Sequence, residues 1–187
     1  MKTNGNRRFE LMMVGLGGRG VQLLSRILTE AGMTEYKHVI CLGNYAPVVR
    51  GGTSESTLVL SDQEISSPIM FSPQACILMA PEFMAPYQQR MSKGGILILD
   101  SSVIPDKVTK AGVKPVYIPA TETASRLGSM QVANMVLMGA WVALTGGVAV
   151  NSVDGAIDKL LGGKRAEVLA LDKKAVREGM KLAGARA

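Results

Sequence analysis

Four glycines and an arginine form the segment of this 187-residue chain that best suits ligand binding. Gly15, Gly17 and Gly20 match the pattern G-x-G-x-x-G, with Gly18 and Arg19 between them. The motif follows an apolar run and precedes residues that recur at helical spacing. Glycines permit positive φ and close backbone approach, so the amides that begin the helix can point at an anion. The same glycines could instead only let the helix pack closely on the sheet, and the residues alone leave both interpretations open.

A dinucleotide site requires more than this turn. It also needs an acidic residue about 20 residues further on, at the end of the second strand, to bind the ribose hydroxyls. That region reads Cys41-Leu42-Gly43-Asn44 and contains no carboxylate. The sequence therefore argues against NAD binding, although Arg19 could still contact a phosphate group.

A second candidate segment is the loop that begins at Tyr45 and ends in Arg50-Gly51-Gly52. In a parallel sheet, the loops that leave the carboxyl ends of the strands form the ligand crevice. We therefore expect this loop and the glycine turn to meet at one edge, with Tyr45 and Arg50 facing the same crevice. Arginine offers a fixed fork of donors to carboxylate or phosphate, and a glycine pair lets another chain approach closely. The alternative is a solvated turn with an ordinary surface arginine.

Residues for independent catalysis or for a metal site are scarce. The single histidine, His38, lies within an apolar run, and the two cysteines, Cys41 and Cys76, form no Cys-x-x-Cys motif. No G-x-S-x-G motif occurs, and no Walker lysine follows the glycines. Glu122 is the best-placed acid, but a carboxylate in the first turn of a helix usually serves only the helix dipole. The sequence therefore predicts no catalytic residue and no metal ligand on this chain.

The elements that must position these segments follow from hydrophobic periodicity. Predicted strands cover 9–14, 38–42, 54–61, 75–79, 96–99 and 113–118, and predicted helices cover 21–31, 81–91, 121–127, 130–144, 153–161 and 165–182. Gly32 is a natural stop for the first helix, and Asn151 or Ser152 is a natural cap for the fifth. The first strand, helix and second strand form a βαβ unit, which implies a parallel pair. The pattern predicts an α/β fold: a doubly wound, mostly parallel Rossmann-like sheet with a helical C-terminal extension.

The chain contains no linker long enough to divide two domains, so we expect one domain over residues 1–187. Within it, residues 1–8 are expected to form a flexible N-terminus and residues 151–187 the helical extension. No signal peptide is visible, and both cysteines lie inside apolar runs, as buried thiols of a reducing cytosol do. These features predict a cytoplasmic protein.

The composition excludes several classes of protein. Hydrophobic residues make up 47% of the chain, far too many for a disordered protein, and two cysteines cannot form a disulfide scaffold. No charge occurs between Arg126 and Asp154, but polar residues and a glycine pair interrupt this run. Its apolar part, Met130 to Leu144, is shorter than the roughly 20 residues that span a bilayer. We therefore expect a buried core or interface helix rather than a membrane span.

The net charge of +6 is concentrated at the C-terminal end. Residues 159–187 hold eight of the 21 basic and three of the 15 acidic residues, a local net charge of +5. A basic helix here could contact an acidic partner subunit, the phosphates of a ligand or nucleic acid. It could also be a solvated face with these side chains outward: Lys173, Lys174, Arg177 and Lys181. A nucleic-acid function lacks a recognition motif, and aromatic residues for stacking make up only 4% of the chain.

Three blocks of sequence, taken in order, resemble the gamma subunit, or gamma domain, of the 2-oxoacid:ferredoxin (acceptor) oxidoreductases. The first block is the N-terminal strand with residues 15–21. The second runs from Tyr45 through Arg50-Gly51-Gly52-Thr53-Ser54 and an alternating strand to Ile65-Ser66-Ser67-Pro68. The third is Pro119-Ala120-Thr121-Glu122 with Ala124, Leu127-Gly128 and residues 134–140. The match covers residues 9 to 180. The chain departs from the family at Arg19, where glutamine is usual, and at Ala46-Pro47-Val48, where Gly-Pro-Glu is frequent.

The resemblance implies an enzyme complex that oxidatively decarboxylates a 2-oxoacid, transfers the acyl group to coenzyme A and passes electrons to ferredoxin. Thiamine diphosphate, iron–sulfur clusters and coenzyme A serve in the assembled complex, and this chain alone is expected to hold none of them. The implied partners are the alpha and beta subunits, with a delta subunit in some complexes, and ferredoxin through the complex. The isolated chain could form a homodimer, and neither nucleic acid nor a membrane is an expected partner. The expected substrate is 2-oxoglutarate or a general ketoacid.

The resemblance also implies that this chain packs near the coenzyme A side of the complex and is inactive alone. Ten residues are expected to form a cofactor-binding crevice: Gly15, Gly17, Gly18, Arg19, Gly20, Tyr45, Arg50, Gly51, Gly52 and Asn134. The alternative is a stand-alone nucleotide-binding Rossmann module, against which the missing ribose acid argues.

Overall fold

The computed structural model describes residues 6–45 and 52–184. Within these ranges the strands are β1 (Arg8–Leu16), β2 (His38–Tyr45), β3 (Thr53–Ser61), β4 (Ala75–Leu78), β5 (Ile96–Asp100) and β6 (Lys114–Ile118). The α-helices are α1 (Val21–Met33), α2 (Met84–Arg90), α3 (Ala120–Arg126), α4 (Ala133–Thr145), α5 (Val150–Leu161) and α6 (Ala166–Gly184). Short 3-10 turns, Pro81–Phe83 and Met130–Val132, lead into α2 and α4.

The strands form one sheet in the order β2-β3-β1-β4-β5-β6. The pairs β1–β4, β4–β5 and β5–β6 are parallel, whereas β3 is antiparallel to both of its neighbours. Five strands therefore run in one direction and β3 runs in the other. The prediction of an α/β fold with a mostly parallel sheet is confirmed.

The predicted parallel pair of β1 and β2 is wrong, because β3 lies between them. Leu58 of β3 pairs with Leu11 on one side and with Cys41 on the other. The reason is the connection after β2, which spans only residues 46–52. A connection this short joins antiparallel strands, so β3 returns directly beside β2 and takes the position next to β1.

Helices and loops cover both faces of the sheet, which explains why the central strands read as continuous apolar runs. Met13 and Ile77 face the larger core, which includes residues of α1, α4, α5 and α6. Met12 and Cys76, their neighbours along the chain, face the smaller core, which includes residues of α2 and of the segments after β3 and β5. Successive residues of these strands thus point into different cores. Both faces of the central strands are therefore buried, and neither face carries the polar residues of a solvated sheet.

The long uncharged stretch of the sequence forms α4, most of whose residues are buried. α6 crosses α4 at two glycines, Gly139 and Gly179, so closely that a methyl group at either would overlap the backbone of the other helix. This packing confirms the expected buried helix. Among residues 6–45 and 52–184, no helix has both the length and the apolar character that crossing a membrane requires.

Two predicted helix ends are wrong. Gly32 does not stop α1, which continues to Met33; its missing side chain instead makes room for Leu60, whose Cδ2 would lie 2.4 Å from a Cβ at this position. Neither Asn151 nor Ser152 caps α5, because the helix already begins at Val150. The Ala149 carbonyl accepts from the Ser152 amide at 3.1 Å, and the Ala149 amide donates to Glu35 Oε1 at 2.7 Å.

The N-terminal segment is attached to the sheet from Arg7 onward. The Arg7 Nε lies 2.9 Å from Asp62 Oδ2, and its guanidinium stacks 4.3 Å above the Tyr36 ring. The hydrogen bond from Arg7 lowers the pKa of the Asp62 carboxyl below its usual value. Residues 1–5 of the expected flexible N-terminus lie outside the described residues.

Candidate anion-binding crevice

The candidate crevice lies at the carboxyl edge of β1 and β4, where the chain changes direction across the sheet. After β1 the chain continues through α1 on one face, and after β4 it continues through α2 on the other face. Ligands of open α/β sheets bind at such a switch point. The Gly17 amide donates to the Gly52 carbonyl at 2.9 Å, so the glycine turn and the end of the second loop meet at this edge, as expected.

The glycine turn owes its shape to the missing side chains. Gly18 and Gly20 have φ of 87° and 80°, a conformation that side chains disfavour, and the Arg19 amide closes the turn onto the Leu16 carbonyl at 3.1 Å. At Gly15, a Cβ would lie 3.1 Å from both Met79 and Val21, so this glycine lets α1 and the end of β4 approach the strand. Both interpretations of the motif therefore have support: Gly15 serves packing, and Gly18 and Gly20 shape the loop.

The N-terminus of α1 is an electrostatically positive site. Gly20 is its N-cap, no side chain in the described part of the chain caps its first amides, and its first turn contains no acidic residue. Arg19 is exposed beside it and forms no ion pair or side-chain hydrogen bond with the described residues. Unsatisfied amides at a helix N-terminus, with the helix dipole behind them, favour an anion. This end of α1 can therefore bind a phosphate or carboxylate group.

Asn134, at the start of α4, fixes the turn from the other side. Its side chain is 3% exposed, and Nδ2 donates to the Gly20 carbonyl at 3.2 Å. Its Oδ1 accepts from the Met135 amide at 3.0 Å. Asn134 is thus a positioning residue that ties α4 to the glycine turn, rather than a side chain free to reach a ligand.

Asp100, which the sequence did not single out, is the most extensively bonded side chain of this edge. Oδ1 accepts from the amides of Ser102, Ala120 and Thr121, and Oδ2 accepts from the Thr121 hydroxyl at 2.6 Å. The carboxylate comes from β5 but caps α3, and Asp100 is 3% exposed. The signal in the sequence was an acid directly after an apolar strand, followed by two serines.

Between the turn, α3 and α4 the protein is closely packed. The remaining gap has a volume of about 10 Å³, room for roughly one water molecule. It is lined by Arg19, Met79, Asp100, Thr121, Ala133, Asn134 and Leu137. A ligand would therefore lie over the glycine turn rather than inside the sheet edge.

The second loop is only partly described. Tyr45 ends β2 opposite Ser54, and Gly52 bonds to the glycine turn through its carbonyl. Arg50 and Gly51, for which a crevice position was predicted, lie outside the described residues. Of the ten predicted site residues, the structure brings the five of the turn together with Gly52 and Asn134.

Groups for covalent or metal chemistry do not gather at this edge. No group of three or more His, Cys, Asp or Glu side chains in residues 6–45 and 52–184 could hold a metal ion. His38 is exposed at the start of β2, the opposite end of that strand from the crevice. Cys76 is fully buried, and this burial raises the pKa of its thiol.

Comparison with known proteins identifies the family. The family model for pyruvate ferredoxin/flavodoxin oxidoreductase matches residues 10–182. The chain belongs to this family. It is similar to the 2-oxoglutarate synthase subunit KorC of Methanothermobacter thermautotrophicus, with 35% identity over 157 residues, which are 80% of this chain and 83% of that subunit. The family relatives are subunits of 2-oxoacid oxidoreductases, and this chain is a gamma-type subunit of such an enzyme.

Solved structures of the oxidoreductase family share the fold. The gamma subunit of the keto/oxoacid ferredoxin oxidoreductase of Geobacter sulfurreducens superposes with a TM-score of 0.82 and 28% identity, over 96% of this chain and 98% of that one. The 2-oxoglutarate:ferredoxin oxidoreductase of Magnetococcus marinus, solved with 2-oxoglutarate, coenzyme A and succinyl-CoA, has a TM-score of 0.87 at 21% identity. It matches 96% of this chain but only 31% of that longer chain, and this likeness shows the fold alone.

The basic C-terminal helix of this oxidoreductase subunit carries mostly paired charges. Lys173 bonds to Asp158 at 2.6 Å, and Arg177 pairs with Asp154. Both acids lie on α5, outside residues 159–187, for which the local net charge of +5 was counted. The count therefore leaves out the acids that neutralise two of these basic side chains. This arrangement favours the solvated, ion-paired face over a binding surface.

Proposed function

We propose that this gamma-type subunit contributes an anion-binding crevice for coenzyme A to a complex with alpha and beta subunits, and a delta subunit in some arrangements. The complex would oxidise a 2-oxoacid in the cytoplasm and reduce ferredoxin. Thiamine diphosphate would supply the decarboxylation chemistry from the partner subunits. The isolated chain would be inactive.

The observation that carries this proposal is the N-terminus of α1, which no side chain of the described residues caps, beside Arg19, which has no side-chain partner among the same residues. Coenzyme A presents phosphate groups, which match free helix amides and a guanidinium in both charge and geometry. The gap below the turn is too small for a ligand group, so the phosphates would lie across the turn and leave the rest of the molecule free to reach the partner subunits.

The cysteine content supports placing the iron–sulfur clusters on other subunits. A [2Fe–2S] or [4Fe–4S] cluster takes four protein ligands, usually thiolates, whereas this sequence has two cysteines, Cys41 and Cys76. Cys76 is fully buried in the core, so it is not available as a ligand. Electrons would therefore leave the complex without passing through this chain.

The relatives favour 2-oxoglutarate as the substrate. Three KorC subunits of 2-oxoglutarate synthases match over 80% of this chain at 31% to 35% identity, whereas the pyruvate synthase subunit PorC of Thermotoga maritima is 25% identical. Substrate selection itself would reside on the partner subunits, so this assignment is tested by turnover of the assembled enzyme with each 2-oxoacid.

Reconstitution with the alpha and beta subunits tests the role of the crevice. We expect no turnover from the chain alone, and an Arg19→Ala variant should assemble normally but raise the KM for coenzyme A by about tenfold, the loss of roughly one charge-assisted hydrogen bond. The kcat should change little, since Arg19 is expected to contact no reacting atom. Arg26→Ala is the matched control, because Arg26 is an exposed arginine on the same helix, away from its N-terminus.

Unchanged KM for coenzyme A in Arg19→Ala, or equal effects of the two arginine variants, would show that the crevice does not bind the phosphates. The stand-alone nucleotide module remains disfavoured. In that fold the ribose site lies at the end of a strand adjacent to β1, and here β3 occupies this position and runs in the opposite direction.

A further inference from the structure

The outer edge of β2 is unpaired in the part of the chain that the structure describes. β2 is the terminal strand of the sheet, and among the described residues no other strand pairs with its outer side. Its eight residues, 38–45, include one histidine but no lysine, arginine, aspartate, glutamate or proline. Soluble proteins normally protect such an edge with charges, proline, a bulge or a short strand, because its free amides and carbonyls are a template for another strand.

The opposite edge of the sheet shows this protection. β6 has five residues, begins at the exposed Lys114 and has Pro115 as its second residue. The segment before β6 folds back onto the strand, where the Val108 amide donates to the Tyr117 hydroxyl at 2.9 Å. One edge is therefore blocked against pairing, whereas the other is not.

Exposed apolar side chains lie beside the open edge. Leu42 of β2 is 46% exposed, and Ile69, in the loop after β3, is 63% exposed. The two line one groove of about 220 Å³, together with Gly43, Glu55, Thr57, Pro68, Met70 and Arg90. Phe71, two residues beyond Ile69, is 81% exposed. An open strand edge next to large exposed apolar groups is typical of a surface that another polypeptide covers.

We propose that a second copy of this chain covers the edge, with β2 of one copy antiparallel to β2 of the other. The free donors and acceptors of a strand edge are complementary to those of an identical antiparallel edge. Because β2 has no permanently charged residue, two copies meet without opposing like charges. The contact is isologous and stops at two copies, since the blocked β6 edge offers no site for a third. Leu42 of both copies would lie at the centre of this interface.

The position of Cys41 allows the proposed pairing of the two β2 strands to be tested by chemical crosslinking. Cys41 lies near the middle of β2, so antiparallel pairing centred on the strand brings the two Cys41 residues within about 10 Å, given strands roughly 4.8 Å apart and a rise of about 3.4 Å per residue. Cys41 is partly exposed, whereas Cys76, the other cysteine, has no exposed surface. A short bis-maleimide would therefore link two copies only through Cys41.

Sedimentation velocity and hydrogen exchange on the purified chain test the proposal. We expect a dimer at micromolar concentration with slowed exchange of the β2 amides, and Leu42→Lys should raise the dimer dissociation constant by at least tenfold. Met130→Lys is the matched control: Met130 is 62% exposed before α4, so it also places lysine at an exposed apolar position and should leave the dimer intact. Circular dichroism verifies that both variants fold.

The crosslink distinguishes a dimer formed through β2 from a dimer formed through another surface. Bis-maleimide should link the wild-type chain and fail with Cys41→Ser. A monomer throughout the concentration range overturns the proposal, and so does a dimer that survives Leu42→Lys. Protection of β2 only after the other oxidoreductase subunits are added also overturns it, because the edge would then receive a strand from one of them. None of these results depends on whether Arg19 binds coenzyme A.

Discussion

Two features of the structure require glycine at position 20: a positive φ and the lack of space for a Cβ. Its φ of 80° is strained for a side chain, and a Cβ here would lie 2.4 Å from Asn134 Nδ2. We expect Gly20→Ala to lower the free energy of unfolding by about 2–5 kcal/mol, since αL strain costs roughly 1–2 kcal/mol and displacing the buried amide costs roughly 1–3 kcal/mol. Chemical denaturation measures this loss.

Gly18→Ala is the control for the steric part. Gly18 has a similar φ of 87°, but nothing lies within 4 Å of a Cβ there, so only the strain of about 1–2 kcal/mol should appear. Equal destabilisation by the two variants would mean that Asn134 moves aside freely and does not fix the turn.

Asp172 gives the stability a dependence on pH. It is 5% exposed on α6, its Oδ2 has no hydrogen-bond partner within residues 6–45 and 52–184, and burial raises the pKa of the carboxyl. A raised pKa in the folded state favours folding at low pH, and this contribution is lost as pH rises through that pKa, because the charge must then be buried. Asp172→Asn should therefore stabilise the protein by about 1 kcal/mol at pH 7, and the gain should vanish below the ordinary pKa of 3.8.

Urea denaturation at pH 3.5 and pH 7 provides the measurement. Asp158→Asn is its control, since Asp158 is largely exposed and its ion pair with Lys173 should contribute under about 1 kcal/mol at either pH. A gain from Asp172→Asn that is the same at both pH values would contradict the assignment of the effect to a buried charge.

At the residue scale, the sequence predicted what depends on neighbours in the chain and missed what depends on distant ones. The glycine turn is visible because Gly15 to Gly20 act within one loop. The role of Asp100 is not visible, because its partners Ala120 and Thr121 lie 20 and 21 residues away on another element. Asn134 became a candidate only through the family resemblance, and its partner Gly20 is 114 residues distant.

Among the elements, α4 and α6 form the most restrictive contact. A Cβ at Gly139 would lie 1.9 Å from the Val176 carbonyl oxygen, and one at Gly179 would lie 1.8 Å from that of Val136. Both obstacles are backbone atoms, so the helices themselves would have to separate. We expect either glycine-to-alanine substitution to lower the free energy of unfolding by about 3 kcal/mol or more, despite the better helix propensity of alanine.

The same substitution in α5 provides the comparison. Nothing lies within 4 Å of a Cβ at Gly155, so Gly155→Ala should raise stability by up to about 1 kcal/mol through helix propensity alone. Guanidinium denaturation of the three variants measures these changes in the free energy of unfolding. If Gly139→Ala were as stable as Gly155→Ala, the close helix crossing would not exist in solution.

At the element scale, periodicity located the strands and helices, but it could not order them. The alternation of Ser54 to Ser61 correctly predicts a strand, yet the pattern is the same wherever that strand is placed in the sheet. Its insertion between β1 and β2 follows from the short connection before it, a segment whose composition indicates a ligand loop rather than a turn between paired strands. Gly32 likewise gave a stop signal that tertiary packing against Leu60 overrides.

Across the whole molecule, one core connects the C-terminal helices to the sheet. Trp141 of α4 and Val176 of α6 belong to the same buried cluster as Met13 of β1. The predicted helical extension is therefore packed into the fold through α4 and is not an appendage. Whether it is energetically part of a single domain remains a prediction, which the unfolding transition can test.

We expect the chain to unfold in one cooperative transition. Trp141 is the single tryptophan and is 1% exposed, so its fluorescence reports the packing of α4, whereas far-ultraviolet circular dichroism reports all helices, including α5 and α6. With a shared core, loss of α6 uncovers the surface around Gly139, and α4 cannot remain packed without it. The two signals should therefore show the same midpoint in guanidinium. Loss of helical signal before the tryptophan change would show that residues 151–184 unfold separately, and the division into one domain would then be wrong.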